Sequence, residues 1–283
     1  MNIIFPRKLN VRSAITVSLV PEAKAGPFVF HDGLQDACQH ASQLGFDAIE
    51  IFPPSADAVT GGEAARCVKE FGLQVAAVGT GAGWVKHQLS LTSLNPDVRN
   101  RALEFIRSII VAAGGFQAPA IIGSMQGKIE PGQSRDEALK HLASALEELS
   151  NFAAHQFDTK LLIEPLNRYE SNVLNRVDET AEWLKGLQLD NVRILADLFH
   201  MNIEEADMAA AIRSAGHIIG HVHFADSNRS AVGFGHSPIA DSVAALKQIG
   251  YNGYLSAEIL PRPNARAAAE QTISSFRRLT TSE

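Results

Sequence analysis

The feature that most constrains the fold is a recurring alternation along the chain. Eight short runs rich in Ile, Val and Leu, at roughly 15–20, 46–52, 73–79, 118–123, 160–166, 192–197, 218–224 and 253–259, are separated by longer segments whose apolar residues follow three-and-four spacing. The runs recur about every 35 residues, the length of one strand, one helix and their loops. Several are apolar throughout, as a parallel strand must be when helices cover one face and a barrel interior the other. Eight such units in 283 residues, without a glycine fingerprint after the first run, predict an α/β fold of the closed (β/α)8 TIM-barrel type. No Ser/Gly/Pro-rich linker interrupts the pattern. Residues 1–283 are therefore read as one domain, with 1–13 as an N-terminal extension.

Local punctuation agrees with this reading. Asp32 is placed to cap a helix that carries Leu34, Cys38, Ala41 and Leu44 on one face, and Gly45 suits its left-handed end. Asn95 before Pro96 marks another helix start, and Ser134 with Glu137 has the form of a capping box.

Composition narrows the partners. Lys and Arg number 25 against 31 Asp and Glu, a net charge of −6, which argues against a phosphate-binding face for nucleic acid. No run of 18 apolar residues is present, so no membrane span is expected. Cys38 and Cys67 are too few for a disulfide framework and read as reduced, buried thiols. The opening MNIIFPRKLN places Pro6, Arg7 and Lys8 where a secretory signal would need a longer apolar stretch. The expectation is a cytoplasmic enzyme acting on a small molecule.

In such a barrel the catalytic groups belong at the carboxyl ends of the strands. Four successive runs end in ionisable residues: LLIEPLN in Glu164, ILADLFH in Asp197, GHVHFAD in His223 and LSAEIL in Glu258. Three carboxylates and an imidazole at one mouth repel one another unless a cation sits among them. This set predicts a divalent-metal site. Its oxygen-rich character favours Mn²⁺, with Mg²⁺, Co²⁺, Fe²⁺ and Zn²⁺ also compatible. Glu170, His200 and Arg229 follow in the loops at the same mouth and are candidate substrate contacts, Arg229 as a fork of donors. His221 points to the same strand face one layer deeper, where a core role is at least as well supported as a ligand role. Glu50 is left outside the set because it either lines the mouth or pairs with a nearby Lys. Trp84 is either an apolar wall of the site or a packing residue, and Arg262 and Arg266 are either phosphate contacts or the solvated start of the last helix.

The segments IEPLNRYESN, DLFHMNIEE, GHVHFADSNR and GYLSAEIL resemble the motifs of the xylose isomerase-like TIM barrel superfamily, in particular its sugar isomerase/epimerase members around the ketose 3-epimerases of the tagatose and psicose type. The similarity is strongest over about residues 159–260 and extends to the stretch from Val78 to Gly127. It implies that Glu164, Asp197, His223 and Glu258 bind the metal. It further implies that Glu164 and Glu258 act as the acid/base pair, that Glu170, His200 and Arg229 contact the sugar, and that the chain forms a homo-oligomer, dimer or tetramer. One loop departs from the pattern. A Pro-Gly-x-Gly turn and a Pro-Trp pair usually follow the seventh strand, whereas here the chain runs SNRSAVGFGHSPIA, through Val232, Gly233 and His236.

The implied reaction is abstraction of a proton next to a carbonyl, with the metal and Arg229 stabilising the enediolate, and return of the proton to the opposite face. Return to the neighbouring carbon on the same face is aldose–ketose isomerisation, and the same residues serve both. The rivals are an inosose-type dehydratase or a hydroxypyruvate-type isomerase on the same barrel, an endonuclease IV-like DNA repair enzyme, and a catalytically silent sugar-binding barrel. The endonuclease needs more histidines and a basic face, and a mere binder has no need of two acid/base glutamates.

Overall fold

The computed structural model describes residues 10–281. Eight parallel strands close into a barrel in sequence order. They are β1 (Arg12–Ser18), β2 (Ala48–Phe52), β3 (Gln74–Gly79), β4 (Ala120–Ile122), β5 (Leu161–Ile163), β6 (Val192–Asp197), β7 (Ile219–His223) and β8 (Tyr254–Ala257). The barrel closes where Arg12, Ser13, Ala14 and Ile15 of β1 pair with Tyr254, Leu255, Ser256 and Ala257 of β8. The expected first run began at Ile15, whereas β1 starts at Arg12. Residues 12 and 13 therefore belong to the barrel, and positions 1–9 of the expected extension lie outside the described residues.

Helices between the strands bury their apolar faces in one continuous core with the outward-pointing strand residues, among them Ile15, Ile49, Val78, Ile122, Ile163 and Val222. Residues at alternate positions point inward instead. Two small clusters stand apart from the main core, Ala77 with Ile121, Leu162 and Leu195, and Ala14 with Ala48 and Ala76 against Tyr254. Counting two residues on from these inner positions leads to the mouth: Leu162 to Glu164, Leu195 to Asp197, Ala48 to Glu50. The pleat of the strand thus fixes which ionisable side chains converge.

Helix ends follow their signals with one exception. The Asn95 and Ser134 side chains accept from the N–H groups of Asp97 and Glu137, and Gly45 adopts φ 82° while its N–H closes onto Ala41 and Ser42. Asp32 does not cap. Gly33 stands at the cap position of the helix Leu34–Leu44 with φ 101° and ψ 172°, an extended positive-φ conformation open to glycine, and no side chain caps this helix. Cys38 and Cys67 are free and buried. Among the described residues no helix is long and apolar enough to cross a membrane.

Candidate active site

Asp197 and His223 are the last residues of β6 and β7, and Glu164 and Glu258 stand one residue beyond β5 and β8. One donor atom from each lies within 4.8 Å of the others. His223 Nδ1 is the centre of the group, 3.1 Å from Asp197 Oδ2, 3.4 Å from Glu164 Oε1 and 3.6 Å from Glu258 Oε2. An octahedral ion with ~2.1 Å bonds holds adjacent donors ~3.0 Å apart and opposite donors ~4.2 Å apart, so these separations fit a shared divalent cation. A second sign is that Glu164 Oε1 is buried with no hydrogen-bond partner, an arrangement that is costly without a cation.

Each donor is aimed by a contact on its other side. Asp197 Oδ1 caps the helix Leu198–Glu204 by accepting from the N–H groups of Phe199 and His200, which leaves Oδ2 for the centre. The N–H on His223 Nε2 donates to Glu50 Oε1 at 3.0 Å, which turns Nδ1 toward the carboxylates, where a bound cation would take its lone pair. The other Glu50 oxygen accepts from His221 Nε2 at 2.7 Å, and Thr16 Oγ1 donates to Glu50 Oε1 at 3.3 Å. Glu50 therefore orients a ligand. Among the described residues it has no Lys partner, and its role was missed because β2 and β7 meet only through the barrel interior, 173 positions apart in the chain. His221 is a satisfied core histidine. Gln126, fully buried after β4, donates to the Glu164 carbonyl at 2.9 Å and accepts from Leu174 N–H at 3.2 Å. It anchors the end of β5, a role that nothing in the sequence SMQG signals.

Electrostatics follow from burial and these partners. Burial pushes the Glu164 carboxyl up to about 7, partly opposed by His223. It raises Glu258 also, against the pull of Arg229. For Asp197 and Glu50 burial acts in the same sense, but the charge of Arg229 above all on the first, and the charge and hydrogen bonds of His223 with the hydrogen bond of His221 on the second, hold both well below the usual carboxylate range. Burial lowers His200 to about 3, so its ring is neutral.

Arg229 adopts φ 57° in the loop after β7. Its Nη1 donates to Asp197 Oδ2 at 2.7 Å, its Nη2 donates to Glu258 Oε2, and its guanidinium lies over the Phe199 ring at 4.8 Å. The departing loop is organised by Asp226, whose carboxylate accepts from the N–H groups of Ser227, Gly233 and Ser237. Val232 is buried, and His236 N–H donates to Ser227 Oγ. A cavity of about 480 Å³ opens over the site, lined by Glu50, Glu164, Glu170, His200, His223, Arg229 and Glu258 together with Phe28, Phe52, Val85, Leu166 and Leu260. Between Ser227 and Ala240 only Arg229 lines it. Trp84 packs against the core, and Val85 takes the place at the cavity wall. Arg262 and Arg266 are not among the lining residues, and Arg266 pairs with Glu270 on the surface. Glu170 is the most open of the candidate contacts, its side chain 49% exposed and its Oε1 3.9 Å from His200 Nδ1.

Comparison with known proteins now decides the family. The model of the xylose isomerase-like TIM barrel matches residues 38–279. The chain belongs to this family. It is 33% identical to the D-psicose 3-epimerase of Enterocloster bolteae over 75% of its own length and 72% of that protein's. It is 28% identical to the 3-dehydro-D-guloside 4-epimerase of Escherichia coli over 88% of its own length and 93% of that protein's. The crystal structure of D-allulose 3-epimerase from Methylomonas in complex with D-allulose superposes with a TM-score of 0.80 at 23% identity, covering 97% of this chain and 99% of that one, a likeness of fold.

Proposed function

We propose that the protein is a divalent-metal-dependent ketose epimerase acting at C3, with Glu164, Asp197, His223 and Glu258 as metal ligands. The observation that carries this reading is the convergence of those four donors at the mouth of a barrel whose relatives are named ketose 3-epimerases. A cation held there, Mn²⁺ first by the donor set, would polarise the sugar carbonyl and acidify the adjoining C–H.

Glu164 and Glu258 are the acid/base pair of the proposal. β6 and β7 lie between their strands in the barrel, so the carboxylates reach a bound sugar from different sides. One removes the C3 proton and the other returns a proton to the opposite face. Arg229 donates to the oxygen on which charge develops, and His200 and Glu170 meet neighbouring hydroxyls as donor and acceptor. The proposal takes residues 1–283 as one barrel domain that assembles as a dimer or tetramer in the cytoplasm.

A second reading rests on the relative matched over 93% of its length, a 3-dehydro-D-guloside 4-epimerase. In it the same glutamates exchange the proton on the other side of a 3-keto group.

The test is a panel of free ketoses, ketose phosphates and 3-keto glycosides incubated with Mn²⁺ in deuterated water. Deuterium at C3 of a free ketose is expected, and label only at C4 of a keto glycoside selects the second reading. Glu164→Gln and Glu258→Gln are each expected to lose about 10³-fold in exchange while keeping the far-ultraviolet circular dichroism of the wild type. Near-normal exchange in either variant would sink the acid/base assignment.

A further inference from the structure

Asn167, 2% exposed just beyond β5, makes contacts that the proposed reaction leaves without a purpose. Its side-chain oxygen accepts the Tyr169 backbone N–H at 3.0 Å, and this fixes which end of the amide is the NH₂. That NH₂ donates to Glu170 Oε1 at 3.0 Å and to His200 Nδ1 at 2.7 Å. The Asn167 backbone N–H, which can only donate, also reaches His200 Nδ1 at 3.3 Å. Two donors on one ring nitrogen require that nitrogen to hold the lone pair, and a neutral imidazole then carries its single proton on Nε2.

The Nε2–H has no acceptor of its own in reach. Glu164 Oε1 is 3.7 Å away and Asp197 Oδ2 is 3.8 Å away, too far for a hydrogen bond. Arg229 Nη1, at 3.4 Å, is itself a donor. His200 lines the cavity, so the proton is left for whatever oxygen enters it.

We propose that Asn167 is a positioning residue that locks His200 in the Nε2–H tautomer, so that the imidazole meets the substrate as a hydrogen-bond donor. The same amide ties Glu170 to His200 and presents an acceptor beside that donor. A carbonyl or partly ionised hydroxyl oxygen is stabilised by the N–H and repelled by a bare ring nitrogen. The substrate half of this inference rests on the epimerase reading; the tautomer does not.

The experiment is a two-bond proton–nitrogen correlation spectrum of protein labelled with ¹⁵N-histidine, in which the His200 signals are those lost in His200→Gln. The wild type is expected to show Nε2 protonated and Nδ1 bare. Asn167→Asp replaces the donor by an acceptor, so Nδ1 is expected to become protonated, with kcat falling about 10²–10³-fold and Mn²⁺ affinity unchanged. A wild-type His200 with its proton on Nδ1, or an Asn167→Asp spectrum identical to wild type, would overturn the proposal. The wild-type spectrum carries the test should the aspartate variant not fold. If the tautomer switches as expected while the wild type turns over no sugar, the epimerase reading fails and the positioning role stands.

Discussion

Glu50 shows how a residue can shape a site by orienting the groups that carry its chemistry. It is buried, and it receives both His221 and His223. Its removal leaves two histidines without their partner and the His223 ring without a fixed tautomer. Glu50→Ala is expected to weaken Mn²⁺ binding about 10–100-fold, measured by calorimetric titration, before any effect on a reaction is considered. A pH effect belongs to the same scale. Burial holds the Glu164 carboxyl up to about 7, so below that pH the metal-free group keeps its proton, whereas a metal ligand must be the carboxylate. The His223 ring, which burial alone would discharge, is held well above the usual imidazole range by the carboxylates around it and must also give up its Nδ1 proton, so affinity for Mn²⁺ should fall at least about tenfold per pH unit as the pH drops below neutrality. Uptake at pH 6 should release more than one proton, from Glu164 and His223 together, which titration in buffers of differing ionisation enthalpy would count.

At the scale of elements, the strand ends do more than carry ligands; they leave space for one another. Gly123, directly after β4, faces Glu164 of the next strand, and a Cβ there would stand 2.4 Å from Glu164 Oε2. Gly123 has φ −102°, so a side chain at this position is resisted by the neighbouring carboxylate. Gly123→Ala is expected to displace Glu164 and weaken Mn²⁺ binding at least about tenfold with an unchanged circular dichroism spectrum; binding equal to wild type would show that Glu164 has another way to turn. The loop after β7 illustrates the opposite case. Its sequence departs from the pattern of similar barrels, yet it closes around the Asp226 carboxylate and delivers only Arg229 to the cavity. The unusual residues Val232, Gly233 and His236 thus serve the loop's own closure.

Across the whole molecule, closure of the barrel gathers Glu50, Glu164, Asp197 and Glu258 in a small buried volume, against Arg229 and the histidines. A cation that binds the folded chain and not the unfolded one offsets that repulsion. Mn²⁺ at about a hundred times its dissociation constant adds ~2.7 kcal/mol to stability. For a chain of this size the melting midpoint should then rise roughly 5–10 °C, and a chelator should reverse the rise. A midpoint indifferent to both Mn²⁺ and chelator would argue that the four donors do not share an ion.

What the sequence by itself determined is everything that depends on local period. Strand and helix alternation, the count of eight, the closed parallel barrel and the placing of Glu164, Asp197, His223 and Glu258 at strand ends all follow from spacings of two, of three and four, and of about 35. Boundaries slipped at most strands: β1 begins earlier than its apolar run because the polar Arg12 pairs with Tyr254, and at β5 the apolar run 160–166 holds only the strand Leu161–Ile163. What only the tertiary structure decided are the contacts between separate strand–helix units: Glu50 with His221 and His223 inside the barrel, Gln126 with the end of β5, Asn167 with His200 at its mouth. Those partners lie 171, 173, 38 and 33 positions apart. No periodicity links them, because each exists only when strand twist and closure bring residues of different units to the same depth, and that depth is set by the register of all eight strands together.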